Sequence, residues 1–414
     1  MSGKNRKKER VRSGESIFPT PHHSTLYPPF PFLAPRHPTL SFMNTHDKLK
    51  ILSDASRFDL SCACGSKEQD GRVRGRDGTW VYPASLPGGG NSVMLKSLMS
   101  TVCVSDCKYC PYRSESDVPR YTLGPDEMAS SFMEFVRKKR VFGLFLSSGI
   151  IGTPDRTMEC LNATARILRK KYEYRGYIHL KIIPGASDGA IDEALSLSNG
   201  VSLNIEAPGE KNFAKLSTSK NYLDHIIRPM KRIGELTARG MKYSRVKQTT
   251  QFIVGAAGES DAEIIRYTAG LYKKLNLNRV YFSAYQRGLG DRGIPGEQQV
   301  GFGDQAFVRE HRLYQTDFLL RKYGFSDHEI LFDTAGRLFY DKDPKLAWAQ
   351  ANPQFFPLNI NRCTKSELLR VPGIGPLTAK RIIAMRKNGR IHTLDTIGAR
   401  GSKRMELARK YLRV

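Results

Sequence analysis

The stretch Cys103-Val104-Ser105-Asp106-Cys107-Lys108-Tyr109-Cys110 sets three thiols within eight residues at the spacing C-x3-C-x2-C. It follows a short apolar run, SVMLKSLMST (92–101), that reads as a strand. Cysteine thiolates are the usual ligands of iron-sulfur clusters. Three of them on one loop can converge on one face of a cubane and leave one iron open to a small bidentate ligand. A structural zinc site would want a fourth donor close by, and zinc loops usually come as paired C-x2-C knuckles. Neither Asp106 nor a neighbouring His supplies that donor, so the spacing favours a cluster.

Outward from this loop the chain alternates short, often β-branched runs with longer amphipathic stretches. The further strand candidates are VFGLFLS (141–147), YIHLKII (177–183), VSLNIE (201–206), TTQFIVG (249–255) and RVYFSA (279–284). Helical patterns fall between them, among them PDEMASSFMEFVRKKR, RTMECLNATARILRKKY and SDAEIIRYTAGLYKKL. Six strands with intervening helices imply an α/β protein with a parallel sheet, because parallel strands need crossover connections. A doubly wound sheet and a partial barrel both fit this pattern.

Composition narrows the class of partner. The 414 residues suffice for two or three domains at roughly 150 residues each, and 66 Lys and Arg against 40 Asp and Glu give a net charge of +26. Such an excess points to a polyanion, nucleic acid before an anionic membrane surface. No apolar run reaches the roughly 20 residues of a membrane helix, and MSGKNRKKERVRSGE lacks the apolar stretch of a secretory signal. A cytoplasmic protein without a membrane partner is the expectation. Seven cysteines, an odd number, argue against a disulfide framework and for metal or redox chemistry.

Five segments are expected. Residues 1–42 are basic, rich in Pro and without helical or strand period, so they read as disordered; either Met1 or Met43 is the true start. Residues 43–91 form an N-terminal extension, 92–340 the α/β body, 341–357 a linker and 358–414 a small helical domain. Cys62 and Cys64 are too few for a second cluster, and Cys160 and Cys363 read as buried or incidental.

The tail from Phe355 to Val414 carries 14 Lys and Arg against 3 Asp and Glu. Thr364-Lys365-Ser366-Glu367 is a helix-opening cap. After it come Pro372-Gly373-Ile374-Gly375-Pro376 and a second helix from about Leu377. A Gly-Ile-Gly hairpin between two helices leaves backbone N–H groups at a helix N-terminus for an anion such as phosphate. Lys380 and Arg381 lie one turn further on. The segment resembles the helix-hairpin-helix module, with a weaker second copy from Thr393-Leu394-Asp395-Thr396-Ile397-Gly398 to Val414. The resemblance implies DNA binding through Gly373, Gly375, Lys380 and Arg381, by backbone contacts that position without reading sequence.

The cysteine spacing, with the aromatic Tyr109 before the last thiol, resembles the defining loop of the radical S-adenosylmethionine superfamily. That resemblance implies a partial (β/α)6 barrel, a 4Fe-4S cluster on Cys103, Cys107 and Cys110, and S-adenosylmethionine over the C-terminal ends of the strands. Ser147-Ser148-Gly149 is similar to the segment that meets the cofactor's amino group, although the acidic part of the family's common form is missing. Asn204 and Glu206 share a face by the two-residue period and suit the ribose hydroxyls. Gly255 lies in a segment similar to the adenine-contacting one. Lys181 is either a partner for the cofactor carboxylate or a snorkelling side chain.

Barrel and tail together resemble a family of DNA modification or repair radical S-adenosylmethionine proteins, over most of the chain from about residue 44. The resemblance implies a radical enzyme acting on a base or sugar in DNA. It also implies an electron donor such as flavodoxin or ferredoxin, and a uracil-DNA-glycosylase-like protein as a partner. Two alternatives stand beside it: a radical enzyme modifying RNA, and a non-catalytic DNA-binding iron-sulfur adaptor for a repair enzyme.

Overall fold

A computed structural model of the chain describes residues 43–56, 73–74, 80–85, 91–138, 140–298, 303–397 and 402–414. Residues 1–42, Cys62, Cys64 and Gly398 lie outside the described residues. Asn44–Val414 forms one compact unit.

Helix α1 (Thr45–Ala55) opens on Asn44, whose side chain accepts the Asp47 N–H. Strands β1 (Val73–Arg74), β2 (Trp80–Ser85) and β3 (Asn91–Leu98) follow, the first two pairing antiparallel outside β3. From β3 onward strand and helix alternate: α2 (Pro125–Arg137), β4 (Gly143–Ser147), α3 (Pro154–Lys170), β5 (Tyr177–Lys181), α4 (Asp188–Leu197) and β6 (Gly200–Ser202). A short α5 (Glu210–Phe213) precedes a π-helical turn, Leu223–Ile227, that runs into α6 (Arg228–Leu236). Then come β7 (Lys247–Val254), α7 (Asp261–Leu275), β8 (Arg279–Ala284), α8 (Pro295–Gln298) and α9 (Gly303–Lys322).

Strands β3 to β8 are all parallel and lie side by side in chain order. A doubly wound sheet would reverse its order partway. Every step here runs the same way, so the sheet is the expected partial barrel of six βα units. The two-residue period divides each strand between two faces. Leu95, Leu144, Leu146, Ile178, Leu180, Val201, Val280 and Phe282 are fully buried in the continuous apolar core. At roughly 1.5–3 kcal/mol for each large side chain removed from water, this face holds the barrel together.

The opposite face lines the lumen with Lys96, Phe145, His179, Lys181, Ser202, Asn204, Gln251 and Tyr281. Closed α/β barrels fill this layer mostly with Val, Ile and Leu; here it is polar.

Beyond α9, α10 (Pro344–Ala351) occupies the stretch expected as a linker, with Pro344 at its first turn and the Asp343 carboxylate accepting two N–H groups at its start. A short 3-10 turn, Asp327–Glu329, follows α9, and Ile330–Asp333 after it are in neither helix nor strand. The tail holds β9 (Leu358–Asn359), α11 (Lys365–Arg370), α12 (Pro376–Lys387), a 3-10 turn (Leu394–Ile397), α13 (Lys403–Arg409) and β10 (Leu412–Arg413). β10 pairs parallel with β9 and closes the module around its own apolar core of Leu368, Val371, Ile374, Ile382 and Ile397. Among the described residues, no helix is long and apolar enough to cross a membrane.

Candidate functional site

The cysteine loop leaves β3 at the C-terminal edge of the sheet, where α/β folds place their sites. Its thiols face donors. Cys103 Sγ accepts the Ser105 and Ile150 N–H groups at 3.4 and 3.3 Å, and Cys110 Sγ accepts the Tyr112 N–H at 3.4 Å. Lys220 Nζ stands 2.8 Å from Cys107 Sγ. Burial pushes the Cys110 thiol up to about 12, with the charge of Cys107 adding to it. Burial, the largest single influence, would lower the Lys220 ammonium, but the charge of Cys107, the hydrogen bond to it and the charges of Glu206 and Cys103 together raise it. Among the described residues, no group of three His, Cys, Asp or Glu is arranged to hold a single metal ion. A cubane is a larger body, whose ligands stand at its corners rather than around one point.

Two segments clamp this loop. Asp106 Oδ1 accepts the Ser217 and Ser219 hydroxyls at 2.5 and 2.6 Å. Its Oδ2 accepts the Thr218 N–H and hydroxyl and the Ser219 N–H at 2.7, 2.6 and 3.0 Å. These donors outweigh burial, the largest single influence on Asp106, and hold its carboxyl well below the usual range. On the other side Lys108 donates its N–H to Leu216 and accepts the Asp291 N–H. Asp106, a residue the sequence offered only as an inadequate fourth ligand, is thus the anchor of the loop.

Of Ser147, Ser148 and Gly149, it is Gly149 that lies against the cysteine loop, while the Ser147 carbonyl accepts the Met99 N–H on β3's side of the sheet. Gly149 donates to the Ser100 carbonyl at 2.8 Å, and a Cβ there would meet the Val102 carbonyl oxygen at 2.3 Å and Cys103 Cβ at 3.1 Å. Only glycine permits that approach. The Ser148 hydroxyl is buried and without a hydrogen-bond partner among the described residues.

Tyr109 donates its hydroxyl to Glu206 Oε1 at 2.7 Å, and Asn204 Nδ2 stands 3.4 Å from Glu206 Oε2. The strand carrying them ends at Ser202, earlier than the sequence suggests, and Glu206 has a φ of 61°. A bridge to Phe252 of β7 still holds the segment against the sheet, so the two polar side chains meet as expected. Gly255 has a φ of 92°, and its N–H is taken by Glu259 Oε1 at 2.5 Å. Glu259 also accepts the Ala257 N–H, which makes it the closure of this turn. Lys181 lines the lumen rather than the cysteine loop.

The hairpin forms the second site. Thr364 and Glu367 make the expected capping box. Gly373 has a φ of 85°, and a Cβ on it would meet the Arg404 carbonyl oxygen at 2.1 Å. Helix α12 starts at Pro376 from Gly375, with no side chain capping its first turn. Lys380 and Arg381 are exposed, and Arg381 also donates to the Ile397 carbonyl. Lys345, buried on α10, donates to the Ile374 carbonyl at 2.6 Å and to that of Leu369 at 3.2 Å, tying the hairpin to the body. Arg370 pairs with Glu329 at 2.5 Å and lies over the Phe325 ring at 3.8 Å.

These features define an α/β half-barrel with a thiol-bearing loop at its mouth and a basic helical tail. A family model described as helix-hairpin-helix motif matches residues 356–413. Among curated proteins, none matches the sequence. Among solved structures, the chain is similar to the FeFe-hydrogenase maturase HydG from Carboxydothermus hydrogenoformans, at 17% identity over 54% of this chain and 50% of that one, TM-score 0.44. It is also similar to methylornithine synthase (PylB), at 14% identity over 53% and 61% respectively, TM-score 0.42. A second HydG structure aligns over 76% of this chain and 80% of that one at 13% identity and TM-score 0.43. The chain therefore spans half and about three-fifths of the length of the first two. At TM-scores this low the likenesses add nothing to the strand order, which defines the half-barrel by itself.

Proposed function

We propose that the protein is a radical S-adenosylmethionine enzyme that acts on DNA, with a 4Fe-4S cluster held by Cys103, Cys107 and Cys110. The observation that carries this reading is the set of donors around the three thiols at the mouth of the barrel. Hydrogen bonds to cluster sulfurs and nearby charge are among the means by which a protein sets a cluster's potential. The donor set fits the cofactor as well. The unpartnered Ser148 hydroxyl and the close approach at Gly149 leave a polar cradle beside the cysteine loop, and Glu206 and Asn204 present acceptors and an amide one layer further in.

When bound together, cluster and cofactor supply a one-electron cleavage of the sulfonium carbon–sulfur bond and a carbon radical able to take a hydrogen atom. The chain's own part is positioning. Asp106 fixes the loop, Tyr109 and Glu206 tie it to the lumen, and Gly373, Gly375, Lys380 and Arg381 hold the strand by its phosphates. The net charge of +26 and the match to a helix-hairpin-helix model support DNA as the substrate.

The test is anaerobic. Reduced, reconstituted protein is incubated with S-adenosylmethionine and defined DNA or RNA, then analysed by mass spectrometry. 5'-Deoxyadenosine together with an altered deoxynucleoside supports the proposal. Its absence from loaded protein overturns the enzyme reading, and an altered ribonucleoside alone overturns the choice of DNA.

A further inference from the structure

Within the barrel, β3 to β8 enclose a cavity of about 110 Å³, lined among others by Phe145, His179, Lys181, Asn204, Gln251 and Tyr281. Gln251 is 1% exposed, and neither its amide oxygen nor its amide nitrogen has a hydrogen-bond partner among the described residues. Leaving both ends of a buried amide unpaired is costly, and unpaired buried groups of this kind call for a bound partner. The rings of Phe145 and His179 stack at 4.3 Å with an angle of 11° between their planes, making one flat wall. His179 is held in place by the Ser202 hydroxyl at 2.9 Å. Through Asn204 and Glu206 the cavity connects to Tyr109 of the cysteine loop.

We infer that this lumen is the receiving pocket for a single pyrimidine base turned out of a DNA strand, read by the Gln251 amide. The inference rests on the proposed action on DNA and names the part of DNA that enters. A glutamine amide offers one donor and one acceptor side by side, and the pairing edge of a pyrimidine presents the matching set. Enzymes acting on a base extrude it into such a pocket and read its pairing edge beside aromatic walls. Volume selects the ring. At about 110 Å³ the space is smaller than the roughly 150 Å³ cavity that takes a benzene, so it has room for at most one six-membered ring and excludes a fused purine.

The test measures binding of cluster-loaded protein to short single DNA strands alike except at one central position, thymidine, deoxycytidine, deoxyadenosine or an abasic spacer, and to an RNA strand that matches the thymidine one with uridine in its place. The tail grips all of them equally through the backbone, so differences report the pocket. Either pyrimidine is expected to bind roughly tenfold tighter than the spacer, in line with base stacking on protein rings, and adenosine no tighter than the spacer. Gln251→Leu should erase the preference, leave binding to the spacer strand intact and raise the melting temperature, because it removes an unpaired buried amide. A merely structural amide would instead lower it. Equal binding of all four DNA strands, or a preference that survives Gln251→Leu, overturns the inference while leaving action on DNA standing. Failure of every strand to bind overturns that underlying reading, and tighter binding of the matching uridine strand overturns the choice of DNA.

Discussion

Replacing Asp106 by Ala should release the cysteine loop, and replacing it by Asn should barely do so. Five hydrogen bonds from Ser217, Thr218 and Ser219 end on this one carboxylate. Bonds to a charged acceptor are worth roughly 1.5–3 kcal/mol each. Sharing one acceptor and facing solvent cuts the total well below their sum, to about 3 kcal/mol for the Ala variant. At 1.4 kcal/mol per tenfold, the population of undocked loop then rises roughly 100-fold.

The Asn variant differs for a geometric reason. Oδ2 faces two backbone N–H groups that can only donate, whereas Oδ1 faces two hydroxyls that can turn and accept. Asn therefore points its carbonyl oxygen at Thr218 and Ser219 and its amide at Ser217, keeping the bonds and losing only the charge, at about 1 kcal/mol. Hydrogen–deuterium exchange of residues 103–113 reads the loop directly, and iron release from the reconstituted protein to a chelator reads its consequence. Equal exchange in Ala, Asn and unaltered protein would refute the anchoring role of Asp106.

Three further outcomes follow from the same geometry. Lys220→Met removes the cation beside Cys107 and should shift the cluster potential on the order of 50 mV more negative; an unchanged potentiometric titration would exclude charge tuning. Gly373→Ala drives a Cβ into the Arg404 carbonyl at a positive φ, so DNA affinity should fall at least roughly tenfold while 5'-deoxyadenosine formation without DNA persists, both measurable on one preparation. Arg370→Ala breaks the Glu329 pair and uncovers Phe325 and Trp348, lowering the melting temperature by an amount that depends on pH. Burial raises the Glu329 carboxyl, but the Ser326 N–H and Arg370 hold it net below its ordinary value. The pair's contribution is therefore full above the ordinary carboxylate range and fades as pH falls through and below it, where the gap between variant and unaltered protein should narrow to the part due to the uncovered rings.

The six parallel strands were legible because each is an apolar run between amphipathic helices, and the hairpin because glycines, cap and charge coincide within a few residues. Strand order was not, since a doubly wound sheet and a half-barrel share one pattern and differ only in which strands pair. Lys220 and the Ser217–Ser219 segment escaped sequence reading because more than a hundred residues separate them from the loop they hold. The edge strand β1 has only two residues, and Pro83 within β2 argued against a strand there. A signal for the lumen was present in His179 and Lys181, Ser202 and Asn204, and Thr249 and Gln251, polar residues at a spacing of two on three successive strand segments. Lys181 drew attention as a single oddity, when it belongs to a set.

On the proposed function, that set divides the labour between the two halves of the protein. A hairpin that holds phosphates cannot choose among bases, because its contacts repeat at every nucleotide. In that proposal selection falls to the barrel, whose inward face presents the buried Gln251 amide with both its donor and its acceptor unused. Affinity and choice should accordingly respond to different substitutions. Changes at Gly373 or Lys380 alter the overall grip and its dependence on salt, since each lost phosphate contact flattens the salt slope. Changes at Gln251 alter which base is held and leave that slope alone, because a neutral amide displaces no counterion.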